Sequence, residues 1–388
     1  MIARRTLLGT LASLSVFAPT LLRARRASPP VVPSAPPIDP AATPETVALL
    51  ANMKALSGRG VMFGHQNTLS YGYEWTGDAD RSDVRDVTGD FPAVYGWDVG
   101  ETFASGRIDI PDPGGIARLQ GFVRAAHARG GVNTFSWHMP NPANDTDAWN
   151  TTEAVSRIIP GGDLHAKYTA RLALAATFFK GLTDAQGRLI PVCFRPFHEH
   201  TGGWFWWGKG NARREDFIAL WRFTVHYLRD VAGVHNLLYA YSTDVFDTEA
   251  QYFDCYPGDD CVDLLGFDDY HSIESAATRN VFVRRLGDVA RWARARGKIA
   301  ALTETGLEAL PNPVWWTKVL LPGLAANRDT RAISYVLVWR NADHHHDRPN
   351  HFFAPYRGQA SAADFVHFYD DPLTLFERDL PPLYKSVG

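Results

Sequence analysis

Glu199 stands in a stretch whose residue types can do acid chemistry on a ring-shaped, hydroxylated ligand. The stretch runs Arg195-Pro196-Phe197-His198-Glu199-His200-Thr201-Gly202-Gly203-Trp204-Phe205-Trp206-Trp207. It follows an apolar run, Leu189-Ile190-Pro191-Val192-Cys193-Phe194, that reads as a buried strand. A carboxyl group at the exit of such a strand, ringed by aromatic faces, can protonate a leaving oxygen while the flat rings bind the faces of sugar rings. The competing reading is a core strand that runs into an aromatic-rich loop. Charge beside aromatics at the strand exit favours the functional one.

The elements that must position this acid recur in one rhythm. Apolar, β-branched or aromatic runs cover Val61–His65, Ala93–Asp98, Val132–His138, Ile190–Phe197, Leu237–Ser242, Val262–Asp268, Ile299–Glu304 and Ile333–Trp339. Helical patterns separate most of them: Ile116–Arg129, Ala166–Lys180, Glu215–Asp230 and Asn280–Arg296. Two of these helices stop at glycine, Gly130 and Gly297. Strands alternating with helices imply parallel pairing, and eight of them fit a closed α/β barrel, a single (β/α)8 TIM barrel. Active sites in such barrels lie at the strand C-terminal ends. Here those ends carry His65, Asp98, His138, His198 with Glu199, Asp244, Asp268, Glu304, and Trp339 with Arg340. Any one of them reads equally well as a helix cap or loop residue; all eight together do not.

Two carboxylates stand out. Glu199 ends the fourth strand and Glu304 the seventh, so both can reach across the mouth. Desolvation beside His198, Trp204 and Trp206 favours a neutral Glu199, as a proton donor requires. Glu304, between Leu302-Thr303 and Thr305-Gly306, is placed as a rigidly held nucleophile. Asp98, Asp268 and Asp269 are candidate orienters; Glu101, Glu274 and Glu308 read as loop residues.

Composition narrows the classes. The chain has 388 residues, 21% charged, with a net charge of -3, so no basic field for nucleic acid is present. Twelve tryptophans, several in polar contexts, fit carbohydrate stacking better than core filling. Residues 1–27, with Arg4-Arg5 before an apolar stretch to Leu22, resemble a twin-arginine or secretory signal peptide, too short in its apolar run to span a membrane. Export and cleavage after Ala27 would place the protein in the periplasm or outside the cell, free of the membrane. Residues 28–44 are Pro-rich and read as an extended, mobile linker; 45–388 is the catalytic domain. An oxidising compartment favours a bridge between Cys255 and Cys261, whereas Cys193 reads as an inert core thiol.

A metal site is the main chemical alternative. His198-Glu199-His200 is not the H-E-x-x-H pattern, because its second histidine follows too soon. Asp343-His344-His345-His346-Asp347 reads as a polar loop lining the mouth. We therefore expect no metal and no cofactor. A barrel metallohydrolase and a non-catalytic carbohydrate-binding protein remain the competing classes.

The motifs resemble glycoside hydrolase family 26, best known for β-mannanases. The matching segments are Phe63-Gly64-His65-Gln66, Gly89 to Asp98, Ser136-Trp137-His138, Arg195 to Trp207, Phe267-Asp268-Asp269-Tyr270, Thr303-Glu304-Thr305-Gly306 and Val338-Trp339-Arg340-Asn341. The resemblance implies a (β/α)8 barrel, net retention, Glu199 as acid/base and Glu304 as nucleophile. It also implies that His138, His198, Trp204, Asp268, Tyr270, Trp339 and Arg340 line the subsites. The implied substrate is a β-1,4-mannan, glucomannan or galactomannan, with mixed-linkage β-glucan or β-1,3-xylan as the alternatives. The working form is expected to be a monomer.

Overall fold

The computed structural model describes residues 35–104, 107–342 and 348–386. The signal-like segment 1–27 and the Asp343–Asp347 histidine cluster lie outside them.

Eight parallel strands close into a barrel. They are β1 (Val61–Gln66), β2 (Val94–Asp98), β3 (Val132–Ser136), β4 (Val192–Arg195), β5 (Leu237–Thr243), β6 (Leu264–Asp269), β7 (Ile299–Thr305) and β8 (Tyr335–Val338). Each pairs with its sequence neighbours, and β8 closes on β1 through Met62 opposite Tyr335 and His65 opposite Val338. A short strand, Thr374–Leu375, adds to β1 at Val61 and Met62. The expected (β/α)8 barrel is therefore the observed fold.

Helices fill the connections. They are α1 (Pro44–Leu56), α2 (Pro113–Ala128), α3 (His165–Lys180), α4 (Arg214–His226), α5 (Arg279–Ala295) and α6 (Ala362–Tyr369). Helix α2 starts ahead of the expected Ile116 because Asp112 caps Gly114 N–H at 3.0 Å and Pro113 takes the first turn. Helix α4 ends early, and its last turn widens into a π-helical turn, Tyr227–Val231.

Residues 35–44 depart from the expected mobile linker. Ile38 N–H donates to Asp263 Oδ1 at 2.8 Å, and the Asp39 carboxylate, 3% exposed, meets His235 Nδ1 at 2.8 Å. Proline-rich composition lowered the cost of ordering this extended chain, and buried polar partners hold it. Helix α1 then follows, capped by the Thr43 hydroxyl on Thr46 N–H at 3.2 Å. Its Leu49, Leu50 and Met53 join Met62, Val94, Val132, Cys193, Leu238, Leu264 and Ile299 in the core inside the barrel. A second apolar shell lies between the strands and the outer helices. No helix among the described residues is long and apolar enough to cross a membrane.

Most tryptophans serve this outer shell, which corrects the carbohydrate-stacking expectation. Trp97, Trp206, Trp207, Trp221, Trp315 and Trp316 are fully buried. The expected bridge between Cys255 and Cys261 is also absent: both are free thiols, with Cys261 buried in the outer core and Cys255 packed partly against it.

Phe63 on β1 shows how the shell is built. Its ring is fully buried against Trp316, Phe365, Phe368 and Phe376, with centroids 5.0 to 5.9 Å away. Phe63→Ala leaves a cavity between β1 and α6 and should cost about 3–5 kcal/mol in urea unfolding. A change below ~1 kcal/mol would mean that the shell collapses around the gap.

Candidate active site

Glu199 is aimed by strained backbone. Phe197 and Glu199 sit at φ of 51° and 53°, in the left-handed region that non-glycine residues rarely enter. Their neighbours hold them there. Glu199 N–H donates to Ser242 O of β5 at 3.1 Å, and the Trp207 indole donates to His198 O at 2.8 Å. Trp204 Nε1 donates to Glu199 Oε2 at 2.7 Å.

Glu304 is aimed by an irregularity in β7. Phe267 stands opposite Leu302, yet Asp268 stands opposite Glu304; on the other side Leu302 meets Val336 and Thr305 meets Val338. Strand β7 thus carries one extra residue relative to both neighbours. Such a bulge breaks the alternation of side chains. Thr303 and Glu304 consequently both reach the barrel interior, Thr303 Oγ1 donating to Asp268 Oδ1 at 2.6 Å.

The two acids and Asp268 converge. One carboxylate oxygen from each of Glu199, Asp268 and Glu304 lies within 4.8 Å of the others. Arg195, buried at the end of β4, donates to Asp268 Oδ2 at 2.8 Å and to Glu304 Oε1. Tyr270 donates its hydroxyl to Glu304 Oε2 at 3.0 Å. Burial, then the charge of Glu304, pushes the Tyr270 phenol far above its ordinary range, so it remains a donor. Burial, followed by the charges of Asp268 and Glu304, holds the Glu199 carboxyl well above the usual carboxylate range; the Trp204 hydrogen bond opposes this. Asp268 is also raised, by burial against the opposing pull of Arg195.

Three clustered carboxylates can in principle hold a cation. Here the Arg195 guanidinium already bonds to two of them, so the set reads as an acid pair with an internal counter-ion.

The remaining expected residues gather on the same mouth. His138 Nδ1 meets Asp98 Oδ2 at 2.7 Å, and His138 Nε2 lies 3.2 Å from His198 Nε2. Burial alone would raise Asp98, yet His138 and backbone N–H donors bring it below its ordinary value. Burial, Arg195 and His138 hold His198 well below the usual imidazole range, which keeps it neutral. His200 turns away from His198 to Tyr241 OH at 2.9 Å; on extended backbone residues two apart share a face, and the left-handed turn at Glu199 is what separates them. Trp339 packs edge-on to His138 at 5.8 Å, and the Arg340 guanidinium lies over the Tyr71 ring at 5.7 Å. Of the four expected aromatic platforms only Trp204, 38% exposed, offers a face; Phe205, Trp206 and Trp207 are buried beneath it.

Sequence reading missed three features. Arg195 has no assigned role in the sequence pattern, although a charge ending a buried strand is the available signal. Trp149, 56% exposed, lies nearly parallel to His138 at 5.4 Å and borders the cleft from the 140–162 loop. Glu101, taken for a loop residue, accepts from Asn67 Nδ2 at 2.8 Å; burial first, then Asp98, pushes it up to about 7. Its approach to β1 is visible only once the barrel closes.

The comparisons with known proteins agree with this geometry. Residues 38–315 match the model of the family described as Glycosyl hydrolase family 26. A mannan endo-1,4-beta-mannosidase of Bifidobacterium adolescentis is 35% identical over 351 residues, covering 85% of this chain and 34% of its own length. One from Bacillus subtilis is 30% identical over 253 residues, covering 60% of this chain and 66% of its own. The chain thus spans about a third of the first relative and just under two thirds of the second. Among solved structures, a GH26 beta-mannanase from Bacteroides ovatus superposes with a TM-score of 0.82 at 41% identity, covering 89% of this chain and 98% of that one. A modular endo-beta-1,4-mannanase from Cellulomonas fimi gives 0.83 at 36% identity, covering 90% and 79%.

The Trp204–Glu199 bond has a measurable consequence. It favours the ionised carboxylate, so its removal raises the Glu199 pKa further. A proton donor is lost as pH rises through its pKa, hence Trp204→Phe should move the alkaline limb of kcat/KM upward. A partly exposed hydrogen bond to a charged group is worth roughly half to one pH unit here. A pH–rate profile measures it, and a downward or absent shift would contradict the assignment.

Proposed function

The chain belongs to glycosyl hydrolase family 26, and on that footing we propose that it is a retaining endo-β-1,4-mannanase with Glu199 as acid/base and Glu304 as nucleophile. The observation that carries this reading is the unlike pair: a carboxyl kept protonated and a carboxylate held by Arg195 and Tyr270, with oxygens within 4.8 Å. That spacing fits the ~5–5.5 Å of retaining enzymes, not the ~6.5–9.5 Å that leaves room for a water in inverting ones.

In the first step a Glu304 oxygen attacks the anomeric carbon. The glycosidic bond breaks, and its electron pair goes to the leaving oxygen, which takes the Glu199 proton. A glycosyl ester on Glu304 results. In the second step the ionised Glu199 takes a proton from water. The water oxygen attacks the same carbon, and the Glu304 carboxylate leaves. Arg195 and Tyr270 accompany the nucleophile through both steps, as fixed donors that need no reorganisation. His198, held neutral, can hydrogen-bond a sugar hydroxyl without competing for the Glu199 proton. Asp98 orients His138 beside it, and Trp149, Trp204 and Trp339 offer faces to successive rings.

Mannan is the substrate that the relatives' names support, and an exported enzyme is the form that the leader-like residues 1–27 suit. The mass of protein recovered from culture medium checks cleavage after Ala27.

Glu304→Ala should abolish hydrolysis of mannan. Glu199→Ala should lower kcat on mannan by on the order of 10²–10⁴-fold while sparing activated aryl β-mannosides, whose leaving group needs no proton. Initial products should carry the β-anomeric configuration by NMR. Near-normal mannan hydrolysis by either variant, initial α-products, or higher kcat/KM on mixed-linkage β-glucan or β-1,3-xylan would overturn the reading.

A further inference from the structure

The loop after β8 reaches back toward the nucleophile and sets Phe353 against residues that leave β6 and β7. The Phe353 ring, 6% exposed, packs edge-to-face on Tyr270, with centroids 5.9 Å apart and planes at 70°. Among the described residues no other aromatic ring packs on Tyr270. The same ring meets Gly306, two residues beyond Glu304. A Cβ there would lie 2.6 Å from Phe353 Cδ1, and the φ of 137° also calls for glycine. The mechanism above makes no use of Phe353.

The loop is built to hold this ring still. Asn341, fully buried, accepts from Phe353 N–H and Ala354 N–H at 2.9 Å each through its Oδ1. Its Nδ2 donates to Ala354 O at 3.0 Å and to Asp83 Oδ2 at 2.7 Å. A buried amide with its donors and its acceptor all engaged has one orientation, and here it fixes the backbone that carries Phe353. Two further ties run to the segment that follows β7. Ala309 N–H donates to Phe352 O at 2.9 Å, and His351 Nδ1 meets Glu308 Oε1 at 2.7 Å. The loop after β8 is thereby locked onto the exit of the strand that carries Glu304.

Tyr270 donates to Glu304 Oε2 from the far end of its own ring. A small tilt about χ1 swings that hydroxyl through the widest arc of the side chain and takes it off the carboxylate. Hydrogen bonds weaken steeply with such misalignment. An anchored ring edge against Tyr270 removes this freedom. The Phe353 side chain has no polar atom of its own, so its influence on the reaction runs through Tyr270.

We propose that Phe353 is a positioning residue for the nucleophile: its ring, anchored by Asn341, holds the Tyr270 hydroxyl on Glu304 through both chemical steps. The proposal rests on the reading of Glu304 as nucleophile and deepens it.

A double-mutant cycle on mannohexaose hydrolysis tests it. Phe353→Leu keeps an apolar side chain and removes the ring edge. It should lower kcat about tenfold, less than the ~10²–10³ that loss of a fixed transition-state donor costs, with KM little changed. In the Tyr270→Phe background there is no hydroxyl to hold, and there Phe353→Leu should change kcat by less than about twofold. Phe353→Met repeats the cycle with a side chain that adapts to the space it fills, and urea unfolding checks that each variant keeps the native transition. A comparable loss of kcat in both backgrounds, an unchanged kcat with Tyr270 present, or loss of the native transition in both variants assigns the ring to core packing and overturns the proposal. Mannan hydrolysis by Glu304→Ala tests the nucleophile reading separately, since its survival sinks that reading whatever the cycle shows.

Discussion

Three carboxyl groups and one guanidinium share the buried mouth of the barrel, and their charge balance constrains every residue around them. A carboxylate withdrawn from water is costly unless it is paired and hydrogen-bonded. Arg195 supplies one positive charge to Asp268 and Glu304 together. Ser242 and Thr303 add hydroxyl donors to Asp268 at 3.0 and 2.6 Å, and Tyr270 adds one to Glu304. Among the described residues nothing cationic bonds to Glu199, and its one side-chain donor is the Trp204 indole. The asymmetry of roles follows from this unequal supply of donors, because three like charges so close cannot all ionise.

Holding that arrangement requires the barrel to break its own rules in two places. Strand β7 inserts a residue so that Thr303 and Glu304 both face inward. The segment after β4 bends through left-handed backbone at Phe197 and Glu199, at a cost of about 1–3 kcal/mol each. The buried tryptophans explain how the second distortion persists. Trp206 and Trp207 donate their indole N–H groups to Met139 O and His198 O at 2.8 Å, which clamps the segment to the barrel. Their burial is structural, and of the segment's three tryptophans only Trp204 keeps an exposed face.

This division also shows what was legible from sequence. Strand order, barrel closure and the approach of Glu199 and Glu304 at the mouth were readable because each depends on periodicity and on which residues end a strand. The β7 bulge was not, since one extra residue leaves no mark on an apolar run. The tryptophans misled for a related reason: a Trp beside polar residues in sequence can still point inward once the loop folds back. Helix α1 escaped notice because its apolar residues do not fall on one stripe, and it is buried against the core inside the barrel. Glu101 and Trp149 come from loops whose paths only the closed barrel determines.

The loop's glycines complete the argument. A Cβ on Gly202 would come within 2.2–2.5 Å of three carbons of the Trp204 six-membered ring, and one on Gly208 would collide with Gly202 O. Neither position needs glycine for its φ; both need it for space. With Gly202 bare, the Trp204 ring can fold back over the loop, and only from there does its Nε1 reach Glu199. With Gly208 bare, the return strand of the loop can lie against the outgoing one, which keeps the segment thin. A thin segment keeps Glu199 at the mouth beside Asp268 and Glu304. The acidity of Glu199 therefore depends on two residues with no side chain at all. They set how closely an indole can approach a carboxyl that has no other side-chain donor among the described residues.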